Sequence, residues 1–156
     1  MKNSAIKIRK ALLSDLPSIV WLLFDDALGS KRECYQDPLP KQYVTAFSNI
    51  DSDKNSFLVV AEAEGNVIGT MQLNIIQYLT YQGGKRAQIE GVRIAESHRG
   101  QGIGKLMLEW AISKARELQC HVVQLTTDKK RPDALAFYQK LGFIASHEGL
   151  KLHLNK

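Results

Sequence analysis

Cysteine is scarce in this 156-residue chain: Cys34 and Cys120 make neither a disulfide framework nor a metal-ligand spacing. That scarcity fits a reducing compartment. Long apolar runs are missing too. The longest, residues 19–24, ends against Asp25 and Asp26, so no membrane span is expected. The basic N-terminus has no apolar stretch behind it, which argues against a secretory signal. Proline is rare, with 4 residues, and there is no Pro/Gly-rich linker, repeat or low-complexity tract. One domain spanning residues 1–156, in the cytoplasm, is the expectation. His98, His121, His147 and His153 form no HExxH or other metal pattern, and no GxSxG elbow occurs, so metal and serine chemistry are set aside. No basic stretch is interleaved with aromatics in a nucleic-acid-binding motif, which disfavours nucleic acid as a partner.

What the chain does have is ordinary globular composition, 44% hydrophobic and 24% charged, enough for a packed core. Its net charge of +5 is unevenly spread. Residues 1–78 hold 8 basic and 9 acidic side chains; residues 79–156 hold 13 and 7. The second half therefore suits a multiply anionic ligand, and the first could receive something cationic.

Periodicity and turn signals predict strands over residues 5–9, 57–63, 67–76, 85–95 and 121–127, with one or two closing strands in 143–154. Helices are predicted from Ser14 or Asp15 to about 28, over 40–50, 102–118 and 132–141, the last with Pro at its start and Gly142 at its stop. Residues 30–38 read as irregular. Glu64-Gly65-Asn66 joins two strands as a hairpin. The order is that of a mixed α/β layered domain.

The segment R99-G-Q-G-I-G-K105 follows a strand and opens a helix. Glycines admit close approach of a ligand to the backbone, and the first turn of a helix has amides without intrahelical partners, so an anion cradle is expected. A Walker A loop would need Gly at 99 and Ser or Thr at 106, where Arg99 and Leu106 stand. A dinucleotide fingerprint from Gly100 would need Gly or Ala at 105, where Lys105 stands. A tight turn alone would not ask for three alternating glycines.

Arg99-x-x-Gly102-x-Gly104 resembles the acyl-CoA pyrophosphate motif of the GNAT-type N-acetyltransferase superfamily. A134-L-A-F-Y138-Q-K-L-G-F143 resembles that superfamily's second motif. The resemblance covers essentially the whole chain and implies a mixed, mostly antiparallel sheet of about six to seven strands flanked by about four helices. It implies direct acetyl transfer from acetyl-CoA, through a tetrahedral intermediate, to a primary amine on a small molecule or protein, with no metal. By the same resemblance, Arg99, Gly100, Gln101, Gly102, Ile103, Gly104 and Lys105 would hold the pyrophosphate, and the main chain of Val92, Arg93 and Ile94 the pantetheine arm. Lys105, Lys129, Lys130 and Arg131 are candidates for the ribose phosphate. Arg131 stands where many members carry Asn, a departure from the pattern. A homodimer is a further implication.

Tyr138 matches the family's frequent general acid, able to protonate a departing thiolate; a core aromatic on the helix stripe is its plainer role. Strand alternation puts Glu90 on the face of Val92 and Ile94, with the opposite face apolar as well. A carboxylate so placed is costly unless paired, and suits either a general base, directly or through water, or a structural group. For the acceptor, Trp21, Phe24, Asp25, Asp26, Tyr35, Asp37, Tyr78 and Tyr81 offer carboxylates and aromatics suited to a cationic amine. Both cysteines read as buried, inert thiols. Two rival functions remain at this level: a non-catalytic acyl-CoA-binding sensor or interaction module, and action on a macromolecular acceptor such as a basic protein or charged tRNA.

Overall fold

Arg9, on the first strand, donates to Asp15 at 2.7 and 3.0 Å and also to Glu62, while Asp15 accepts the Leu12 amide at 2.8 Å. These bonds anchor the first helix to the sheet. In the computed structural model, which describes residues 5–154, that strand is β1 (Lys7–Lys10) and the helix is α1 (Leu16–Phe24), with Pro17 confined to its first turn. Then follow α2 (Lys41–Ser52), β2 (Ser56–Ala63), β3 (Asn66–Gln77), a single turn α3 (Thr80–Gly83), β4 (Lys85–Ile94), α4 (Ile103–Glu117), β5 (Cys120–Leu125) and α5 (Pro132–Lys140).

The five strands form one sheet in the order β1-β2-β3-β4-β5, antiparallel except for the parallel β4–β5 pair. The mixed, mostly antiparallel character agrees with the sequence reading. The strand count is lower than the expected six to seven, because no strand follows α5 among the described residues. Helices number five rather than about four, since the β3–β4 loop winds into α3, with Tyr81 and Gln82 in left-handed conformation.

The sheet is packed on both faces. On one lies α4, whose buried stripe Ile103, Met107, Leu108, Ala111 and Ala115 meets Met71, Leu73, Ile75, Ala87 and Ile89. On the other, Leu16, Ile19 and Val20 of α1 and Phe47 of α2 close over Val60.

One irregularity shapes everything near the carboxyl end of β4. Thr70 pairs with Arg93 and Gln72 with Glu90, so Met71 alone opposes both Gly91 and Val92. This is a bulge, and Gly91 takes φ +62° to make it. The extra residue inverts the strand's phase: Ala87 and Ile89 join the α4-side core, and so do Val92 and Ile94. Glu90 therefore lies opposite Val92 and Ile94, not beside them, and it is exposed. The expected carboxylate buried between two apolar layers is corrected on both counts. Pairing with β5 also ends at Ile89–Leu125, where β5 itself stops, so the rest of β4 has no β5 partner.

Gly91→Ala should lower stability by about 1 kcal/mol in denaturant melts, the cost of a Cβ at positive φ. Met107→Ala, fully buried on α4, should cost about 2–5 kcal/mol through the cavity it leaves.

Candidate active site

The glycine turn links β4 to α4. Gly100 and Gly102 take φ +74° and +81°, which explains both glycines by backbone conformation. Gly104 has another cause. A Cβ there would lie 3.2 Å from the ring of Phe137 on α5, so the third glycine admits a neighbouring helix rather than a ligand. From Gly100 to Lys105, no main-chain N–H donates to an acceptor among the described residues; the first helical bond is Leu106 N–H to Gly102 O at 3.1 Å. A Cβ built on Gly100 or Gly102 meets nothing within 4 Å, so the turn has open space beside it. Unsatisfied donors at the positive end of a 15-residue helix favour a phosphate group.

The side chains around the turn are not all free. Arg99 Nε reaches back to the Ile94 carbonyl at 3.2 Å, and Gln101 Nε2 donates to Ser97 O at 3.1 Å. Lys105 lies 3.8 Å from Glu109, exposed on the helix, and Lys129 and Lys130 are exposed in the loop before α5. Val92, Arg93 and Ile94 run along the part of β4 that has left β5, which gives an extended amide ligand an unpaired edge to meet.

Arg131, at the start of α5, is engaged with the loop after α1. One of its terminal nitrogens sits 2.9 Å from both carboxylate oxygens of Asp26, on the loop after α1. Asp26 also accepts the Leu28 and Gly29 amides at 2.8 and 2.6 Å. Arg93 Nε is 3.1 Å from it, yet its N–H is not aimed at the oxygen, so that contact is an ion pair without a directed hydrogen bond. Burial pushes the Asp26 carboxyl up, but the Gly29 amide, Arg131, the Leu28 amide and Arg93 together outweigh it and hold it at about 2. Burial, reinforced by Arg131 and Arg32 and opposed by Asp26, lowers the Arg93 guanidinium.

Tyr138 packs between Phe137 and Phe143, ring centroids 5.3 and 5.9 Å away. Burial raises its phenol; Arg93 and Arg131 pull it down, and Glu90 adds to the rise. The net effect keeps the hydroxyl protonated at neutral pH. The charges of Arg93, Arg131 and Glu90 all bear on this phenol, whose ring packs against the α4-side core.

Glu90 ends a polar floor on the sheet face opposite α4. Ser56, Asn74, Gln88 and Gln124 stand in register across β2, β3, β4 and β5. Gln124 donates to Gln88 at 2.8 Å and Gln88 to Glu90 at 3.2 Å; Gln72 donates to Asn74 at 3.0 Å and Asn74 to Ser56 at 2.7 Å. Sequence reading missed this row because its amides are far apart in the chain; the polar alternation of β4 was the available signal.

The expected acceptor residues fall into two groups. Phe24 and Tyr35 cluster with Trp21, centroids 5.0–6.3 Å apart. Trp21 and Tyr35 also line a cleft of about 340 Å³ with Ser97 and His98, which neither Glu90 nor Tyr138 reaches. Tyr78 and Tyr81 lie at the opposite end of β4, where Arg86 sits 4.6 and 5.4 Å from their ring centroids and His121 stacks on Tyr81. Arg86 already occupies the aromatic surface an external cation would need. Asp25 makes no side-chain bond among the described residues; its neighbour Asp26 carries the ion pairs. Of the thiols, Cys34 is exposed, against expectation, with Sγ 3.6 Å from Gln36, while burial pushes the Cys120 thiol up.

A profile of the Acetyltransferase (GNAT) family matches residues 23–143, which include the bulged strand, the glycine turn and Tyr138. The chain belongs to the GNAT acetyltransferase family. It is 32% identical to the aminoalkylphosphonate N-acetyltransferase of Salmonella typhimurium over 61% of either chain. It spans 61% of the length of that relative and 47% of a probable glucosamine 6-phosphate N-acetyltransferase of Drosophila melanogaster. Among solved structures, a transcriptional regulator from Bacillus halodurans is 54% identical, with a TM-score of 0.94 over 96% of this chain and 100% of that one. A predicted acetyltransferase with acetyl-CoA from Clostridium acetobutylicum is 25% identical, with a TM-score of 0.74 over 96% of each chain. No metal-binding group of His, Cys, Asp or Glu occurs among the described residues, and none of its helices is long and apolar enough to cross a membrane.

Asp26→Asn should destabilise the protein by about 2 kcal/mol at neutral pH, the worth of a carboxyl held below its ordinary value. Because the folded value is depressed, this stability is present above pH 3.8 and is lost as pH falls towards about 2. Denaturant melts of both proteins should therefore converge across that window.

Proposed function

We propose that the chain transfers the acetyl group of acetyl-CoA to a primary amine. The row of unsatisfied amides from Gly100 to Lys105 carries this reading, since it offers a diphosphate several donors at one helix end and costs no protein hydrogen bond to fill. Those amides would hold the pyrophosphate, and the freed edge of β4 from Val92 to Ile94 the amide-bearing arm. Lys105, Lys129 and Lys130 remain available to the ribose phosphate, whereas Arg131 is committed to Asp26. When bound, acetyl-CoA supplies a thioester, an acyl group ready for an amine.

The protein's own residues handle the protons. An alkyl ammonium is only about 0.04% neutral at pH 7, so an acceptor must lose a proton before it can attack. Glu90, exposed at the end of the floor and held by Gln88, takes that proton directly or through water. Tyr138, kept protonated by burial, gives its phenolic proton to the departing sulfur. Arg93 and Arg131 stabilise the phenolate, which takes back the second proton that the acceptor nitrogen sheds as the amide forms. The Salmonella relative's aminoalkylphosphonate, an amine joined to an anionic group, is a reasonable first acceptor to try.

Thiol release from acetyl-CoA, followed across a panel of primary amines, tests the activity. Tyr138→Phe should lower kcat by about 10²-fold or more while calorimetric CoA affinity is unchanged. Unchanged turnover in that variant would remove Tyr138 as the acid. Gly102→Val, at φ +81°, should instead weaken CoA binding by more than about tenfold.

A further inference from the structure

Three guanidiniums gather about a single carboxylate beside the proposed site. Arg131 is bonded to Asp26 through one nitrogen, and Arg93 is paired with it 3.1 Å away. Asp26 has little left to give. It also accepts the Leu28 and Gly29 amides, which hold the loop carrying Arg32 against it. Arg32 ends that loop's short turn, is exposed, and makes no side-chain hydrogen bond or ion pair among the described residues. The charges of Arg131 and Arg32 both press on Arg93. Glu33, next in the chain, is turned to the Tyr43 hydroxyl at 2.8 Å. One carboxylate thus answers three cations, and Arg93 Nε keeps a buried N–H with no acceptor. Such an excess is unfavourable without a second anion.

The bulge gives that excess a place in the reaction. Residues 90 and 93 are an odd number apart, so plain alternation would set them on opposite faces. The extra residue at Gly91 returns them to one. Val92 and Ile94 join the α4-side core, while Arg93 turns to Asp26 on the side where Glu90 ends the polar floor. Their partners on β3, Gln72 and Thr70, stand two residues apart, so the two groups lie about 7 Å apart along the sheet.

We propose that the acceptor carries its own anion, which seats against Arg93 and Arg32 while its amine meets Glu90. The substrate class is then a compact primary amine bearing a phosphonate, phosphate or carboxylate, and Arg32, which no motif marks, selects it. A guanidinium suits each of these anions through parallel N–H donors. This rests on acetyl transfer and adds the class of acceptor. An amine with a second cation would meet unrelieved repulsion instead.

Thiol release with aminoethylphosphonate, β-alanine, propylamine and putrescine tests this, together with calorimetric binding of aminoethylphosphonate and of CoA. The expected result is a kcat/KM for the better anionic amine more than about a hundredfold above that for propylamine or putrescine, shrinking as salt rises. Arg32→Gln, at an exposed position, should cut that preference by more than about tenfold, through KM rather than kcat, while CoA binds as before. Arg32→Lys should recover part of it. An equal or greater kcat/KM for propylamine or putrescine overturns the proposal, and so does an Arg32→Gln protein with its preference intact. If no amine releases thiol, acetyl transfer itself fails, and calorimetry still decides the anion's place. Aminoethylphosphonate affinity lost in Arg32→Gln upholds it; no binding, or equal binding in both proteins, overturns it.

Discussion

The parting of β4 from β5 is the constraint on which the site depends. A parallel pair left in register to its end would fill both edges with main-chain bonds and leave nowhere for an extended ligand. Here β5 stops at Leu125, opposite Ile89, and the extra residue at Gly91 follows at once on β4. The bulge swaps which side chains face the core, and the main chain of Val92, Arg93 and Ile94 has no β5 partner. The glycine turn at the end of β4 then sets the amides of α4 at the mouth of the same opening. Cradle and cleft thus come from one short stretch of chain, so neither needs independent positioning.

Asp26 ties together elements that flank this part of β4. It joins the loop after α1 to Arg131 at the start of α5 and to Arg93 on β4, drawing the two sides of the opening together through one carboxylate. A lone buried aspartate would be unfavourable, but two backbone amides and two guanidiniums make this one strongly acidic. The same guanidiniums act on Tyr138. They temper the rise that burial alone would give its phenol.

How far the sequence foretold this depends on the range over which each feature is determined. Gly100 and Gly102 were legible because positive φ before a helix is a local demand. Gly104 was attributed to the ligand because Phe137, the ring that excludes a side chain there, is 33 positions away in the chain. The two-residue period placed Glu90 on the wrong face because a bulge adds a residue without a pattern of its own. Arg131 stood out as a departure from the family, but its partner Asp26 is 105 residues distant, beyond any motif. Residues 143–154 carry a strand's alternation in part, and the pattern cannot say where its pairing partner lies.

The amide row across the sheet has a consequence for chemistry in different buffers. Asn74, Gln72, Gln88 and Gln124 neither take up nor release protons, so this floor presents the same dipoles in mildly acidic and mildly alkaline solution alike. Such a surface sorts molecules by where their hydroxyls and carbonyls point rather than by how many positive groups they carry. In the proposed reaction, acidity would then act through the acceptor nitrogen, Glu90 and Tyr138 and not through the row itself, which leaves molecular recognition and proton handling separable.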